Sequence, residues 1–127
     1  MACVMCEHAS GDKLVAFNAL AAAFPDGFPL TRGHTLIVPR RHEPDFLALS
    51  SVEQAAIWAL VAEVCSHIET GDRPDGYNIG VNIGEAAGQT VGHAHLHVIP
   101  RYRGDVEDPR GGIRWIIPGR ARYWGKA

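Results

Sequence analysis

Long apolar runs are missing from this 127-residue chain. None approaches the roughly 18 consecutive apolar residues of a membrane span. The opening Met1-Ala2-Cys3-Val4-Met5-Cys6-Glu7-His8 has no basic region followed by an apolar one, so no signal peptide is expected. Cysteine is scarce. Three thiols, an odd number, do not make a disulfide scaffold and fit a reducing compartment. Strong charge bias is absent too. A formal net charge of -2 argues against bulk attraction to nucleic acid or to an anionic membrane, leaving only a local basic patch open. There is no internal repeat, low-complexity tract or linker. What remains is an ordinary balance of 46% hydrophobic and 20% charged residues, at a length that suits one domain with a modest core. The expectation is a single domain over residues 1–127, cytoplasmic, with neither nucleic acid nor membrane as partner.

Local patterns give the elements. Leu14–Phe17 and Ala19–Phe24 are short apolar segments. The second has alanine's helix propensity, but Pro25-Asp26-Gly27 stops it abruptly, so a strand is expected. Thr35–Val38 is a strand bounded by Gly33 and Pro39. Ser50 with Glu53, or Ser51 with Gln54, can form a capping box. Val52, Ala56, Leu60, Val64 and Ile68 follow at helical spacing, to an end near Thr70-Gly71. Tyr77–Ile83 reads as a strand, Gly84–Gly88 as a turn, and Gln89–Pro100 as another strand. Strands around one long helix predict an α+β domain with a mainly antiparallel sheet. Residues 103–119 read as a surface loop.

The strand predicted last carries the densest chemistry. His93, His95 and His97 alternate with Ala94, Leu96 and Val98. Strict alternation places the three imidazoles on one strand face. Three stacked rings are a poor choice for packing, since each needs a hydrogen-bond partner. Imidazole is an acid, a base, a nucleophile and a metal ligand near neutral pH. The economical assignment makes the central His95 the nucleophile, flanked by His93 and His97. Upstream, the segment from Gly84 to Thr90 supplies small residues, a turn, the Gln89 amide and the Thr90 hydroxyl, suitable donors for phosphate oxygens.

These residues resemble a known family. His93-Ala94-His95-Leu96-His97-Val98-Ile99 matches the histidine-triad (HIT) pattern, His-φ-His-φ-His-φ-φ, without departure. Thr31 to His42 resembles that family's glycine-histidine strand, and Asn82–Glu85 with Ala87–Val91 its phosphate and ribose segment. The resemblance spans about residues 3–102 and leaves 103–127 as a C-terminal tail. It implies a HIT fold: a sheet of about five antiparallel strands with one long helix and a shorter one, continued across a homodimer. It also implies a hydrolase acting at the α-phosphate of a ribonucleotide through a nucleotidyl-histidine intermediate. The implied substrate is a purine ribonucleotide, such as a nucleoside phosphoramidate, or a dinucleoside polyphosphate. By the resemblance His95 is the nucleophile, and His93 and His97 are its flanking partners. Gln89 and Thr90 contact the α-phosphate or scissile bridge, Asn82 lies beside phosphate and ribose, and His34 lines the pocket. Asp26, eight residues before His34, matches an acidic ribose ligand. Without the resemblance Asp26 reads as a plain turn residue, and Asn82 reads equally as a turn-forming asparagine before Gly84.

Cys3-Val4-Met5-Cys6 is a CxxC; alone it is compatible with a frayed terminus or a redox pair. A structural zinc needs two further ligands. HIT proteins that this chain resembles bind zinc with such a pair, the histidine ending the glycine-histidine strand and the first triad histidine. Those positions are Cys3, Cys6, His42 and His93, and the ion would make His93 structural. Cys65 reads as a packed thiol and His67 as exposed. In the tail, the run Asp108 to Pro118 sets arginines near an aromatic, which leaves open that it wraps over the nucleotide site or a dimer partner; for most of its residues a surface segment covering apolar sheet residues is expected, with Arg114 and Trp115 the residues to test. Two other activities stay open: a nucleotidyltransferase, and a regulatory nucleotide binder with little turnover. His97 favours hydrolysis, because HIT transferases of the galactose-phosphate class resemble a motif with glutamine at that position.

Overall fold

The computed structural model describes residues 2–125. The chain runs α1 (Val4–Ala9), β1 (Ala16–Phe17), β2 (Ala21–Pro25), β3 (Thr35–Pro39), α2 (Ser51–Gly71), β4 (Gly76–Val81), β5 (Leu96–Arg101) and α3 (Pro118–Ala121), with short 3-10 turns between. The five strands form one antiparallel sheet in the order β1-β2-β3-β5-β4. This is the α+β architecture expected. No helix among the described residues is long and apolar enough to cross a membrane.

Helix α2 starts where Ser50 caps it. Its hydroxyl accepts from Glu53 N–H, and the Glu53 carboxylate accepts from Ser50 N–H, a complete capping box. The buried stripe is Ile57, Leu60, Val64 and Ile68. Val52 does not join it and is 65% exposed. It precedes Ile57 by five residues, about 140° around the helix. The stripe packs on one sheet face, against Ala21, Ala23, Ile37, Leu96 and Val98. Ala21, Ala22 and Ala23 are fully buried. Here packing between two layers overrides alanine's helix propensity.

The opposite sheet face is divided. Over β2 and β3 it is covered by α1, whose Met5 and Ala9 pack with Ala22, Phe24, Leu36 and Val38. Over β5 and β4 it carries His97, Ile99, Asn78 and Gly80. His97 pairs across the ladders with Leu36 on β3 and Gly80 on β4. Gly80 therefore leaves open space on the strand beside His97.

The histidine strand is shorter than the predicted Gln89–Pro100. It begins at Leu96, and His93 and His95 lie in an irregular lead-in. The ladder stops for a local reason. β3 ends at Pro39, which has no N–H to donate, and its carbonyl accepts from the His93 ring, Nε2 to O 2.8 Å. The neighbouring Ala94 N–H donates instead to Glu43 O at 2.7 Å. The three imidazoles consequently do not form one row.

Candidate active site and metal centre

His97 and His34 meet beside the half of the face over β5 and β4. His34 Nε2 lies 2.9 Å from His97 Nδ1 and 3.3 Å from Asp26 Oδ2. The Leu30 N–H donates to His34 Nδ1 at 3.0 Å, so the proton of neutral His34 is on Nε2. That N–H donates to His97 Nδ1, which leaves the proton of neutral His97 on Nε2. Both rings are held neutral. Burial pushes His97 down to about 4, helped by the neighbouring His95 and His34 and opposed by Asp26. Burial lowers His34 as well, again against Asp26.

His95 is 8% exposed, and its ring lies 5.0 Å from that of His97, edge to face. Its Nδ1 is 2.8 Å from the His93 carbonyl oxygen. A carbonyl only accepts, so Nδ1 carries the proton and Nε2 keeps its lone pair.

Asp26 performs two tasks. Oδ1 accepts from Phe28 N–H at 2.8 Å, the turn role its Pro-Asp-Gly setting suggests. Oδ2 faces His34. A cavity of about 600 Å³ brings Asp26, His34, Asn82 and His97 together, a size suited to a small organic ligand. Gln89 and Thr90 do not line it. The Gln89 amide is taken up by backbone: Oε1 accepts from Gly84 N–H, and Nε2 donates to the carbonyls of Pro44 and Val91. Gly84 and Gly88 turn this loop at φ +88° and +94°. Thr90 is exposed.

Apart from Trp115, the rest of the cavity was not among the residues expected. Phe28 and Leu30 line it from the loop after β2, Asn78, Gly80 and Ile99 from the sheet, and Ile113, Trp115 and Ile116 from the tail. The glycine inside β4 was the one readable signal, since a strand glycine marks a close approach. Arg114 turns away, donating to the carbonyls of Ala121 and Arg120.

His93 belongs to a second cluster. Its ring is fully buried. Its Nδ1 lies 3.5 Å from both Cys3 Sγ and Cys6 Sγ, and His42 Nδ1 lies 3.4 Å from Cys6 Sγ. One ligand atom from each of the four residues falls within 4.8 Å of all the others. Zinc–sulfur and zinc–nitrogen bonds of about 2.3 and 2.0 Å, set tetrahedrally, separate S and N ligands by about 3.5 Å. The residues fit such an ion. Cys3 caps α1 and Cys6 sits inside it, so the CxxC is anchored in a helix rather than frayed. Cys65 is half-buried against the core and His67 is exposed.

With that geometry in view, the comparisons with known proteins are specific. The HIT domain model matches residues 8–104, and the chain belongs to the HIT family. It is 36% identical over 104 residues to adenosine 5′-monophosphoramidase of Schizosaccharomyces pombe, covering 80% of this chain and 75% of that protein. It is 34% identical over 94 residues to AP-4-A phosphorylase of Mycobacterium tuberculosis, covering 73% of this chain and 48% of that protein. Among solved structures, a zinc-bound histidine triad family protein from Mycobacterium smegmatis matches with TM-score 0.73 and 37% identity, over 81% of this chain and 77% of that one.

Proposed function

We propose that this protein hydrolyses a nucleotide at its α-phosphate through a nucleotidyl-His95 intermediate. The observation that carries the reading is the His95 Nδ1–His93 carbonyl bond, which leaves Nε2 free beside the neutral His97. In the first step Nε2 forms a bond to phosphorus and the bond to the leaving group breaks. The leaving group takes the electron pair and a proton from water. Positive charge then rests on the His95 ring, where the His93 carbonyl dipole stabilises it. In the second step water attacks phosphorus, the P–N bond returns its pair to Nε2, and a proton goes to solvent. His97 Nε2–H donates to a phosphoryl oxygen as its charge grows. Asp26 and Asn82 hold the ribose hydroxyls, Thr90 and the backbone of the 84–90 loop contact phosphate, and Gln89 keeps that loop in shape. Among the described residues no lysine or arginine lines the cavity, which favours a nucleoside phosphoramidate over the more highly charged dinucleoside polyphosphate.

Zinc held by Cys3, Cys6, His42 and His93 would fasten α1 to the sheet and fix His93, whose carbonyl orients the nucleophile. Two unpartnered features support a homodimer: the free edge of β4 and the exposed stripe Val52, Ala55, Trp58 and Ala62 on α2. Light scattering should give twice the 13.8 kDa chain mass; a monomer rejects this. The three free cysteines suit a cytoplasmic location. Mass spectrometry after rapid quenching with adenosine 5′-phosphoramidate tests the chemistry. It should find an adenylyl adduct on His95, and His95→Gly should lose turnover by several orders of magnitude. Turnover retained in His95→Gly rejects the mechanism.

A further inference from the structure

The HIT domain match ends at residue 104, yet the cavity continues beyond it. Gly112, Ile113, Trp115 and Ile116 line it together with Phe28 and Leu30. This part of the tail is a folded wall. Gly112 has φ +47°, and a Cβ there would lie 3.2 Å from Asn78 Nδ2, so the backbone sits directly on β4. A Cβ on Gly80 would lie 3.8 Å from Ile113 Cδ1. The Trp115 indole N–H donates to Arg110 O at 2.7 Å, Arg114 ties to two tail carbonyls, and Ala121 is fully buried.

The wall presents apolar surface to a space that nothing among the described residues fills. Ile113 and Ile116 are 62% and 72% exposed, and Phe28 and Leu30, which line the same cavity, 91% and 74%. Four large apolar side chains around one cleft, continuous with a polar end built of Asp26, His34 and His97, match a ligand with one flat apolar part and one polar part. A nucleobase joined to ribose phosphate has that shape, with the base face meeting an aromatic ring and aliphatic side chains.

We propose that residues 112–116 form the nucleobase-selecting wall of the site, so that base recognition depends on a segment outside the HIT domain while ribose and phosphate are held within it. The proposal rests on the nucleotide reading above. The two are separable, because ribose 5-phosphate reaches the polar end without needing the wall.

Calorimetric titration of the full chain with AMP and with ribose 5-phosphate tests it. Wild type should bind AMP at least tenfold more tightly than the sugar phosphate, on the scale of burying an apolar ring face. Ile113→Ser with Ile116→Ser should lower AMP affinity by about tenfold and leave ribose 5-phosphate unchanged. Ile116→Ser alone, at a largely exposed position, should keep the wild-type melting temperature and show a smaller loss in the same direction. Equal AMP affinity in wild type and both variants overturns the wall. Equal affinity of wild type for the two ligands overturns the wall and leaves ribose-phosphate recognition standing. Binding of neither ligand by wild type overturns both readings.

Discussion

His34 donates its Nε2 proton to His97 Nδ1 over 2.9 Å. The bond sets the tautomer of His97, because the Leu30 N–H on the far side of His34 leaves that ring no other proton arrangement when neutral. It also makes protonation of either ring unfavourable, since a second proton would break the chain of donors and place charge in a buried site.

A pH dependence of stability follows. His97 titrates near 4 when folded, against an ordinary value of 6.5, and His34 is shifted in the same direction. The unfolded chain therefore binds more protons than the folded one between those values. Stability contributed by the neutral rings is fully present above pH 6.5 and is lost as pH falls toward 4. The melting temperature of wild type should drop across that window, and His97→Gln should flatten the drop. Parallel curves for the two proteins would contradict the assignment.

Asp26 should set preference for ribose over deoxyribose, since one carboxylate can accept from both hydroxyls. Bonds to a charged acceptor are worth roughly 1.5–3 kcal/mol each. Asp26→Ala should therefore reduce the ribo/deoxy ratio of kcat/KM by about tenfold or more. Asp26→Asn keeps an oxygen for the Phe28 N–H, so its melting temperature should stay near wild type while the ratio falls. An unchanged ratio in both variants would leave Asp26 with its turn role alone.

The metal cluster predicts a separation of stability from chemistry. Elemental analysis should find about one zinc per chain, from the four ligands of a tetrahedral site. Cys3→Ser with Cys6→Ser should abolish metal binding and lower the melting temperature, because α1 loses its anchor. Turnover should fall less than in His95→Gly, since His93 keeps its bond to the Pro39 carbonyl. Wild type that is metal-free when purified without chelator and fully folded would reject the site.

What could be read early was local. The capping box of Ser50 and Glu53 involves residues three apart, and the structure contains it as expected. The spacing of His93, His95 and His97 pointed to the place proposed for chemistry, and Cys3 with Cys6 to half of the four-residue cluster proposed for metal. The extent of the histidine strand was not legible, because its pairing with β3 ends at Ile37, short of Pro39, and those residues lie more than fifty positions away in sequence. Exchange of Val52 for Ile57 in the buried stripe reflects which side of α2 meets the sheet, and residues Arg110 to Ile117 have no periodicity that announces a wall.

By itself, then, the order of residues determined the boundaries of α2, the strand candidates and the three-histidine pattern from which the nucleophile is proposed, since these depend on neighbours along the chain. Only the tertiary structure decided how the three histidines divide. His93 turns to Cys3, Cys6 and His42, whereas His97 turns to His34 and Asp26. That division depends on which carbonyls and rings the folded sheet brings within hydrogen-bond reach, and a buried imidazole must adopt the orientation that satisfies both its nitrogens.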